Sequence, residues 1–200
     1  MKRIERLEGY WDNVSTYNLG ISFRCGYCGI NSGPSHYYFL KGSYVKAYIY
    51  ICPSCNRPTY INKDYDEQVP GPFFGDEVEF LPDEVESLYD EARKCFTVGA
   101  YTSSVLACRK ILMNSSVDKG AEPGKKFVEY VDFLEENHFI PPNSRDWVDM
   151  IRKKGNEATH EIPSISKEDA MQMLEFTELL LKHIYELPGK MEKYKNGDNN

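Results

Sequence analysis

No stretch of this 200-residue sequence approaches the run of about 18 apolar residues that a membrane-spanning helix needs. The first six residues, MKRIER, are mostly charged and lack the apolar core of a secretory signal. Histidine is scarce, and His36, His138 and His183 have no partners at metal-ligand spacing. We therefore expect a cytoplasmic protein with reduced cysteines and no membrane partner.

Cysteine, by contrast, occurs in a regular pattern. Cys25 and Cys28 form one CxxC pair, Cys52 and Cys55 form a second, and 23 residues separate the pairs. Two residues between thiolates allow one tight turn to direct both sulfurs at a single ion, and two such turns complete the tetrahedral four-sulfur shell that Zn²⁺ prefers. The pattern predicts one structural zinc ion with no open coordination position for catalysis.

Two other uses of CxxC pairs fit this sequence less well. A redox CxxC is normally single and opens a helix, whereas these pairs lie among Tyr, Val and Ile residues typical of strands. Disulfides need an oxidising compartment, which the missing secretory signal does not favour. Cys95 and Cys108 fall in predicted helices, where a lone cysteine usually acts as a small buried hydrophobe.

The net charge of −7 is unevenly distributed. Residues 1–62 hold seven Lys and Arg against three Asp and Glu, whereas residues 63–200 hold 17 against 28. The change of sign coincides with a change from strand-like to helical patterns, which indicates two modules. We predict an α+β protein with these parts: an N-terminal arm and zinc ribbon at 1–62, a linker at 63–82, a five-helix bundle at 83–188 and a disordered tail at 189–200.

The first module has the composition of a small sheet. Aromatic and β-branched residues dominate 37–40, 44–51 and 59–61, which we predict as strands, with a hairpin turn at 41–43. A core of this size is too small to be stable by burial alone. A bound metal is therefore expected to contribute much of its folding free energy.

Apolar spacing becomes helical beyond Pro82. Gly and Pro residues separate five predicted helices, at about 83–97, 100–116, 124–137, 143–159 and 167–187. The second is apolar around almost its whole circumference and should be central. Arg109 projects from its apolar arc, so it either meets a carboxylate, namely Glu157, Glu161 or one of the first helix, or extends to solvent. Ser166 is the predicted N-cap of the fifth helix.

The helical half resembles a known bacterial family. The resemblance is carried by residues 81–85 (LPDEV), 91–95 (EARKC), 99–101 (GAY), the apolar helix with Arg109, and 151–161 (IRKKGNEATHE). Over about residues 78–188 these segments resemble domain-of-unknown-function family 4145. The resemblance implies a HEPN-like helical bundle, a superfamily in which many members are dimeric, metal-independent ribonucleases of toxin and phage-defence systems. The zinc ribbon lies outside it.

The resemblance also implies a candidate site. The catalytic HEPN motif is an Arg followed by a polar residue, often Asn, with His four to six residues after the Arg. Asn156 and His160 match it, but Gly155 occupies the usual arginine position, and Arg152 lies one turn earlier. On one helix Arg152 and His160 are about 12 Å apart along the axis. Only a second protomer would bring both onto one phosphate.

In the ribonuclease chemistry that the family implies, a histidine moves a proton at the RNA 2′-OH or the leaving 5′-oxygen while a cation stabilises the phosphate. Pro163 places His160 near a helix C-terminus, which favours an imidazolium acting as acid or phosphate clamp. Lys153, Lys154 and Arg109 can supply further positive charge.

A purely structural use of the same segment is equally concrete. Gly155 and Ala158 permit close helix packing, and Asn156 and His160 can then satisfy buried polar groups.

Two functions therefore stay open. One is a zinc-binding, dimeric adaptor of a bacterial defence or toxin-type system that binds a larger defence protein, RNA or another single-stranded nucleic acid. The other is an active metal-independent endoribonuclease using His160 across a dimer cleft. The 12 aromatics beside seven basic groups in residues 1–62 favour nucleic-acid binding. In the fifth helix, Met171, Phe176 and Leu179 extend the apolar surface beyond one stripe, which supports an interface, and a buried fifth helix in a monomer would show the same pattern.

Overall fold

The computed structural model describes residues 9–14, 21–72, 74–140, 153, 165–195 and 197. The chain divides into two compact units, Met1–Phe74 and Gly75–Asn200. Within the described residues the first unit is built from strands and the second from helices. The prediction of an α+β protein with an N-terminal sheet is confirmed.

The first unit contains a five-stranded antiparallel sheet in the order β1-β4-β5-β6-β7 and a separate two-stranded hairpin, β2-β3. The strands are β1 (Tyr10–Val14), β2 (Phe23–Arg24), β3 (Asn31–Ser32), β4 (His36–Lys41), β5 (Ala47–Ile51), β6 (Pro58–Asn62) and β7 (Glu67–Val69). The three predicted strands correspond to β4, β5 and β6. Gly42, with φ 77°, makes the turn between the first two, as the sequence predicts.

Register and alternation place aromatic rings on one face of this sheet. Tyr37 is paired with Tyr50, and Phe39 with Tyr48, so all four side chains point the same way. Phe23 of β2 packs on this face, with its ring centroid 5.4 Å from that of Tyr50. Two of the metal-ligand candidates, Cys25 and Cys52, belong to the same buried cluster. The core of the first unit therefore lies between the sheet and the cysteine turns.

Two strands of the sheet were not predicted. β1 pairs with β4 at one edge, and β7 pairs with β6 at the other. β7 falls inside the predicted linker 63–82, and the boundary between the compact units lies after Phe74. Residues 67–69 thus belong to the sheet, and a strand of three residues is too short to show a period in the sequence.

The second unit contains α1 (Asp83–Thr97), α2 (Tyr101–Asp118), α3 (Phe127–Glu136) and α4 (Lys167–Leu181), which continues through a π-helical turn (Lys182–Glu186) into α5 (Leu187–Lys195). The Ser166 hydroxyl accepts the Asp169 N–H at 3.1 Å and caps α4, as predicted. The predicted helix at 143–159 lies outside the described residues except for Lys153, which is helical and exposed. No helix of the described residues is both long and apolar enough to cross a membrane.

Helix α2 is central among the described helices, as its apolar circumference predicts. It contacts α1, α3 and α4, and Val105, Ile111 and Leu112 are fully buried. Phe176 of α4 is also buried, so it belongs to the core and not to the apolar surface expected of it. Leu179, three residues further, is exposed as expected.

The last helix extends to Lys195, beyond the predicted end at 187 and into the segment 189–200 predicted as a disordered tail. Pro188 supports a helix end in the sequence because it cannot donate a backbone hydrogen bond. In the structure, the helix widens into the π-helical turn at Lys182–Glu186, shortly before Pro188. The helix therefore continues past the position where a regular turn would need a hydrogen bond from residue 188. Lys190 then pairs with Glu186 and, at 3.3 Å, with Glu79, which attaches α5 to the segment preceding α1.

Candidate metal centre

The two CxxC segments adopt the same local structure. In residues 25–30, the Gly29 N–H donates to the Cys25 carbonyl at 3.0 Å, and the Cys25 N–H donates to the Ile30 carbonyl at 2.9 Å. The equivalent bonds in residues 52–57 run from the Asn56 N–H to the Cys52 carbonyl at 2.9 Å and from the Cys52 N–H to the Arg57 carbonyl at 3.1 Å. We call these segments the first and second knuckle.

Each knuckle turns back through a residue of positive φ at the same position. Gly29 has φ 70° and Asn56 has φ 55°. These are the residue types that tolerate this conformation most readily. The spacing Cys-x-x-Cys-Gly/Asn therefore encodes the whole turn and not only the two sulfurs.

The four cysteines converge on one point. All four Sγ atoms of Cys25, Cys28, Cys52 and Cys55 lie within 4.8 Å of one another. The Sγ atoms of Cys25 and Cys55 are 3.7 Å apart, and those of Cys28 and Cys52 are also 3.7 Å apart. A regular tetrahedron with metal–sulfur bonds of 2.3 Å has edges of about 3.8 Å. The cluster thus fits a tetrahedral metal ion such as zinc.

Burial and hydrogen bonding make the thiols unequally acidic. Burial raises the pKa of Cys25 and raises that of Cys55 to about 12. Burial also opposes ionisation of Cys52, but backbone N–H groups of Cys55 and Ser54 donate to its sulfur and the pKa falls to about 7. A divalent cation at the centre would stabilise the thiolates that burial disfavours, since metal binding and thiol deprotonation are coupled.

A neighbouring strand holds the first knuckle in place. The Gln68 side chain donates to the Arg24 carbonyl at 2.8 Å and to the Pro70 carbonyl at 3.0 Å. Gly26 approaches the same segment so closely that an added Cβ would lie 2.4 Å from the Gly71 oxygen and 2.6 Å from that of Pro70. Residue 26 therefore has to be glycine because of close packing with residues 70–71.

The knuckles also form an exposed surface beside the cysteines. Tyr27 of the first knuckle is 40% exposed, and the Arg57 guanidinium of the second lies 5.1 Å from the centre of its ring. A cation at this distance over an aromatic face is attracted by the ring quadrupole. Sequence reasoning missed this pair, although Tyr27 and Arg57 stand at recognisable positions, two and five residues after the first cysteine of their knuckles.

The candidate site of the helical half lies almost wholly outside the described residues. Arg152, Lys154, Asn156 and His160 are not among them, and Lys153 is helical and exposed. Arg109 lies with its guanidinium 4.2 Å from the centre of the Phe127 ring, and burial lowers its pKa. Its apolar setting agrees with the helical pattern, while two of its predicted carboxylate partners, Glu157 and Glu161, also lie outside the described residues.

A different arginine of the helical unit is deeply buried. Arg93 is 4% exposed, donates to the Gly75 carbonyl at 2.7 Å and lies over the Tyr89 ring at 5.4 Å. Glu178 accepts the Asp76 N–H at 3.0 Å in the same region. These bonds fasten residues 75–76 to α1 and α4. In the sequence, Arg93 looks like any helical arginine, because the segment it binds is defined only by the fold.

Comparison with protein-family models gives a match over the helical half. The model of a protein family described as "Domain of unknown function (DUF4145)" matches residues 90–197, more than half of the chain. No curated protein and no solved structure matches the chain. The matched residues include α2 to α5 and exclude the metal centre.

Proposed function

Since the chain belongs to the DUF4145 family, whose description names no function, we propose that it is a zinc-dependent binding protein whose N-terminal ribbon recognises single-stranded RNA. The bacterial defence or toxin-type setting rests on the HEPN-like resemblance of residues 78–188 alone. In this proposal the helical half, with Gly155 in place of the usual arginine, does not cleave RNA.

Zinc is the ion that the donor set favours. Four thiolates in a tetrahedral arrangement suit Zn²⁺ or an iron–sulfur centre and not the hard cations that prefer oxygen. The Cys25–Cys55 and Cys28–Cys52 distances of 3.7 Å match the edge of a single-ion tetrahedron. A closed shell of four sulfurs leaves no position for water or substrate, so the ion would hold the knuckles in place and take no part in chemistry.

The observation that carries the proposal is the pairing of Tyr27 with Arg57. A base can stack on an exposed tyrosine ring, and an adjacent guanidinium can pair with a phosphate or stack on the base. The two side chains come from different knuckles, so their 5.1 Å separation depends on the metal centre that joins the knuckles. Zinc would in this way assemble the RNA contact.

Other rings of the first unit extend this aromatic and basic character. Lys63 lies 5.2 Å from the centre of the Tyr48 ring, and Lys41 lies 5.9 Å from that of Tyr10, which is 58% exposed. Aromatic rings interleaved with cations are typical of surfaces that bind single strands without strict sequence preference. The excess of basic residues in 1–62 has the sign needed to attract phosphate.

The proposal is tested by titrating fluorescein-labelled single-stranded RNA with the zinc-loaded protein and following anisotropy at two salt concentrations. Tyr27→Ala and Arg57→Ala are each expected to raise the dissociation constant about 5- to 160-fold, because a stacked base contributes about 1–3 kcal/mol. Tyr65→Ala is the matched control, since Tyr65 is 71% exposed in the same unit but outside the knuckles.

Arg57→Ala should also reduce the salt dependence of binding, whereas Tyr27→Ala should not, because only the arginine neutralises a phosphate. Absence of RNA binding by the wild-type protein would overturn the proposal. Equal losses in Tyr65→Ala and Tyr27→Ala would also contradict it, because they would place the RNA elsewhere.

A further inference from the structure

The last helix of the chain has an unusual distribution of apolar residues. No residue of α5 is buried, yet it carries Leu187, Met191 and Tyr194, which are 56%, 53% and 71% exposed. Large apolar side chains scattered singly over a surface need no explanation, but a contiguous apolar patch usually marks an interaction site.

These three residues form a stripe that faces away from the attachment of the helix to its own unit. At about 100° per residue they fall within about 60° of arc, whereas Gly189 lies about 140–160° from each of them. Gly189 packs directly on Phe80, whose ring atoms would lie as close as 2.4 Å to an added Cβ. Helix α5 therefore presents its glycine side to its own unit and its apolar side to solvent.

The π-helical turn extends this stripe onto α4. In a regular helix, the eight residues from Leu179 to Leu187 would make about 2.2 turns and separate the two side chains by about 80°. The turn at Lys182–Glu186 accommodates one extra residue, which brings the count close to two full turns. Leu179, 52% exposed, then aligns with Leu187. We call Leu179, Leu187, Met191 and Tyr194 the C-terminal stripe.

The size of the C-terminal stripe suits pairing with an identical surface. It runs for about 20 Å along the helix, and four such side chains expose on the order of 500 Å². Two copies facing each other would bury about 1,000 Å², the lower limit for a specific interface between proteins. Antiparallel contact about a two-fold axis near Leu187 would match the stripe with itself end to end.

The charges beside the stripe do not oppose this arrangement. Lys190 is the cation closest to the stripe on one side, and a two-fold axis near Leu187 brings it towards its own copy. Its charge is already compensated by Glu186 and Glu79 of the same chain. We infer that the C-terminal stripe is a homodimer interface in which α5 packs antiparallel against the π-helical turn and the end of α4 of a second copy of this chain. This inference is independent of RNA binding by the ribbon.

Sedimentation velocity of the full-length protein over a range of concentrations tests the inference. The wild-type protein should be a dimer, and Met191→Glu should raise the dimer dissociation constant about 100-fold, because a two-fold axis introduces the buried charge twice. Val98→Glu is the control, since Val98 is 64% exposed but lies at the end of α1 and outside the stripe. It should leave the dimer unchanged.

A crosslink tests the antiparallel geometry. Leu187→Cys places two thiols near the proposed axis, so mild oxidation of the zinc-loaded protein should give a covalent dimer beyond the wild-type background. Leu106→Cys, at an exposed position of α2, should not. A monomeric wild-type protein, or a dimer unaffected by Met191→Glu and uncrosslinked through Leu187→Cys, would overturn the inference. A wild-type monomer that co-floats with anionic lipid vesicles, and a loss of this co-flotation in Met191→Glu, would also overturn it. That result would assign the stripe to a membrane surface.

Discussion

Four cysteines and one glycine determine most of the geometry at the metal centre. The cysteines supply a tetrahedral set of sulfurs, while Gly26 allows the first knuckle to approach the backbone of residues 70–71. The first property depends on side-chain chemistry and the second on the absence of a side chain. Substitutions at these positions should therefore fail for different reasons.

Removing a single thiol is expected to abolish metal retention. Cys25→Ser and Cys52→Ser should each lose the one equivalent of zinc that we expect per chain, because a hydroxyl is a poor ligand for this ion and a three-sulfur shell is incomplete. Zinc content after gel filtration, measured by atomic emission, reports the result. Cys95→Ser should keep its zinc, since Cys95 lies on α1. Full zinc retention in Cys25→Ser or in Cys52→Ser would show that the substituted cysteine does not bind the ion.

Gly26→Ala is expected to destabilise the ribbon by about 1–3 kcal/mol through overpacking. The new methyl would overlap backbone oxygens, which cannot move aside as a flexible side chain can. Urea unfolding of the zinc-loaded protein, followed by tyrosine fluorescence, measures the effect. Gly33→Ala should cost less, because its methyl would meet a single atom, the Ile21 oxygen, at 3.1 Å. Equal stability of Gly26→Ala and wild type would contradict the close packing.

Individual helices and strands differ in how much of their stability is local. Helix α4 begins at an explicit side-chain cap at Ser166, whereas α1 and α2 begin without a side-chain hydrogen bond at the N-cap. Strands β1 and β7, in contrast, owe their conformation to pairing with β4 and β6. The helix start is therefore visible in the sequence, and the edge strands are not.

Ser166→Ala is expected to lower the free energy of unfolding by about 1 kcal/mol, because the Asp169 N–H loses its acceptor at the start of α4. Chemical denaturation followed by circular dichroism at 222 nm checks this value. Ser103→Ala, at an exposed position inside α2, removes a hydroxyl without removing a cap and should change stability by less than about 0.5 kcal/mol. A neutral Ser166→Ala would show that the cap contributes nothing.

The whole molecule combines a sheet that carries a four-cysteine cluster with a helical unit that belongs to the DUF4145 family. The proposed roles follow this division: the ribbon binds RNA, and α5 joins two copies. Dimerisation would supply two ribbons per assembly, and two linked sites bind a single RNA strand more tightly than one. The alternative function, endoribonuclease activity at His160, would belong to the helical half alone.

With Gly155 replacing the motif arginine, we expect purified protein to leave labelled RNA intact in the presence of a magnesium chelator, and His160→Ala to behave identically. Gel electrophoresis of the RNA after incubation is the measurement. His183→Ala serves as the histidine control on the π-helical turn. Cleavage by the wild-type protein and His183→Ala but not by His160→Ala would establish the ribonuclease instead.

Sequence reasoning reached the four cysteines, the three central strands and the limits of α1 because each depends on local chemistry. Two CxxC pairs with Gly or Asn after them encode their own turns, and alternating aromatics encode strands. The same reasoning left open whether Phe176 lies at an interface or in the core, and it ended the last helix too early. Both points depend on surroundings that no local pattern contains: the neighbours of α4, and the ion pairs of Lys190 and packing of Phe80 that attach α5.

The sequence by itself determined that this chain holds a four-sulfur site and an α-helical half, since metal-ligand spacing and helical period are properties of consecutive residues. Only the tertiary structure decided that Tyr27 meets Arg57, that Gly26 packs on residues 70–71, and that α5 directs its apolar side to solvent. The first two are contacts between segments distant in sequence, and the third is the orientation of one helix. Contacts and orientation are both determined by packing, because burial and excluded volume act between atoms that are far apart in the sequence.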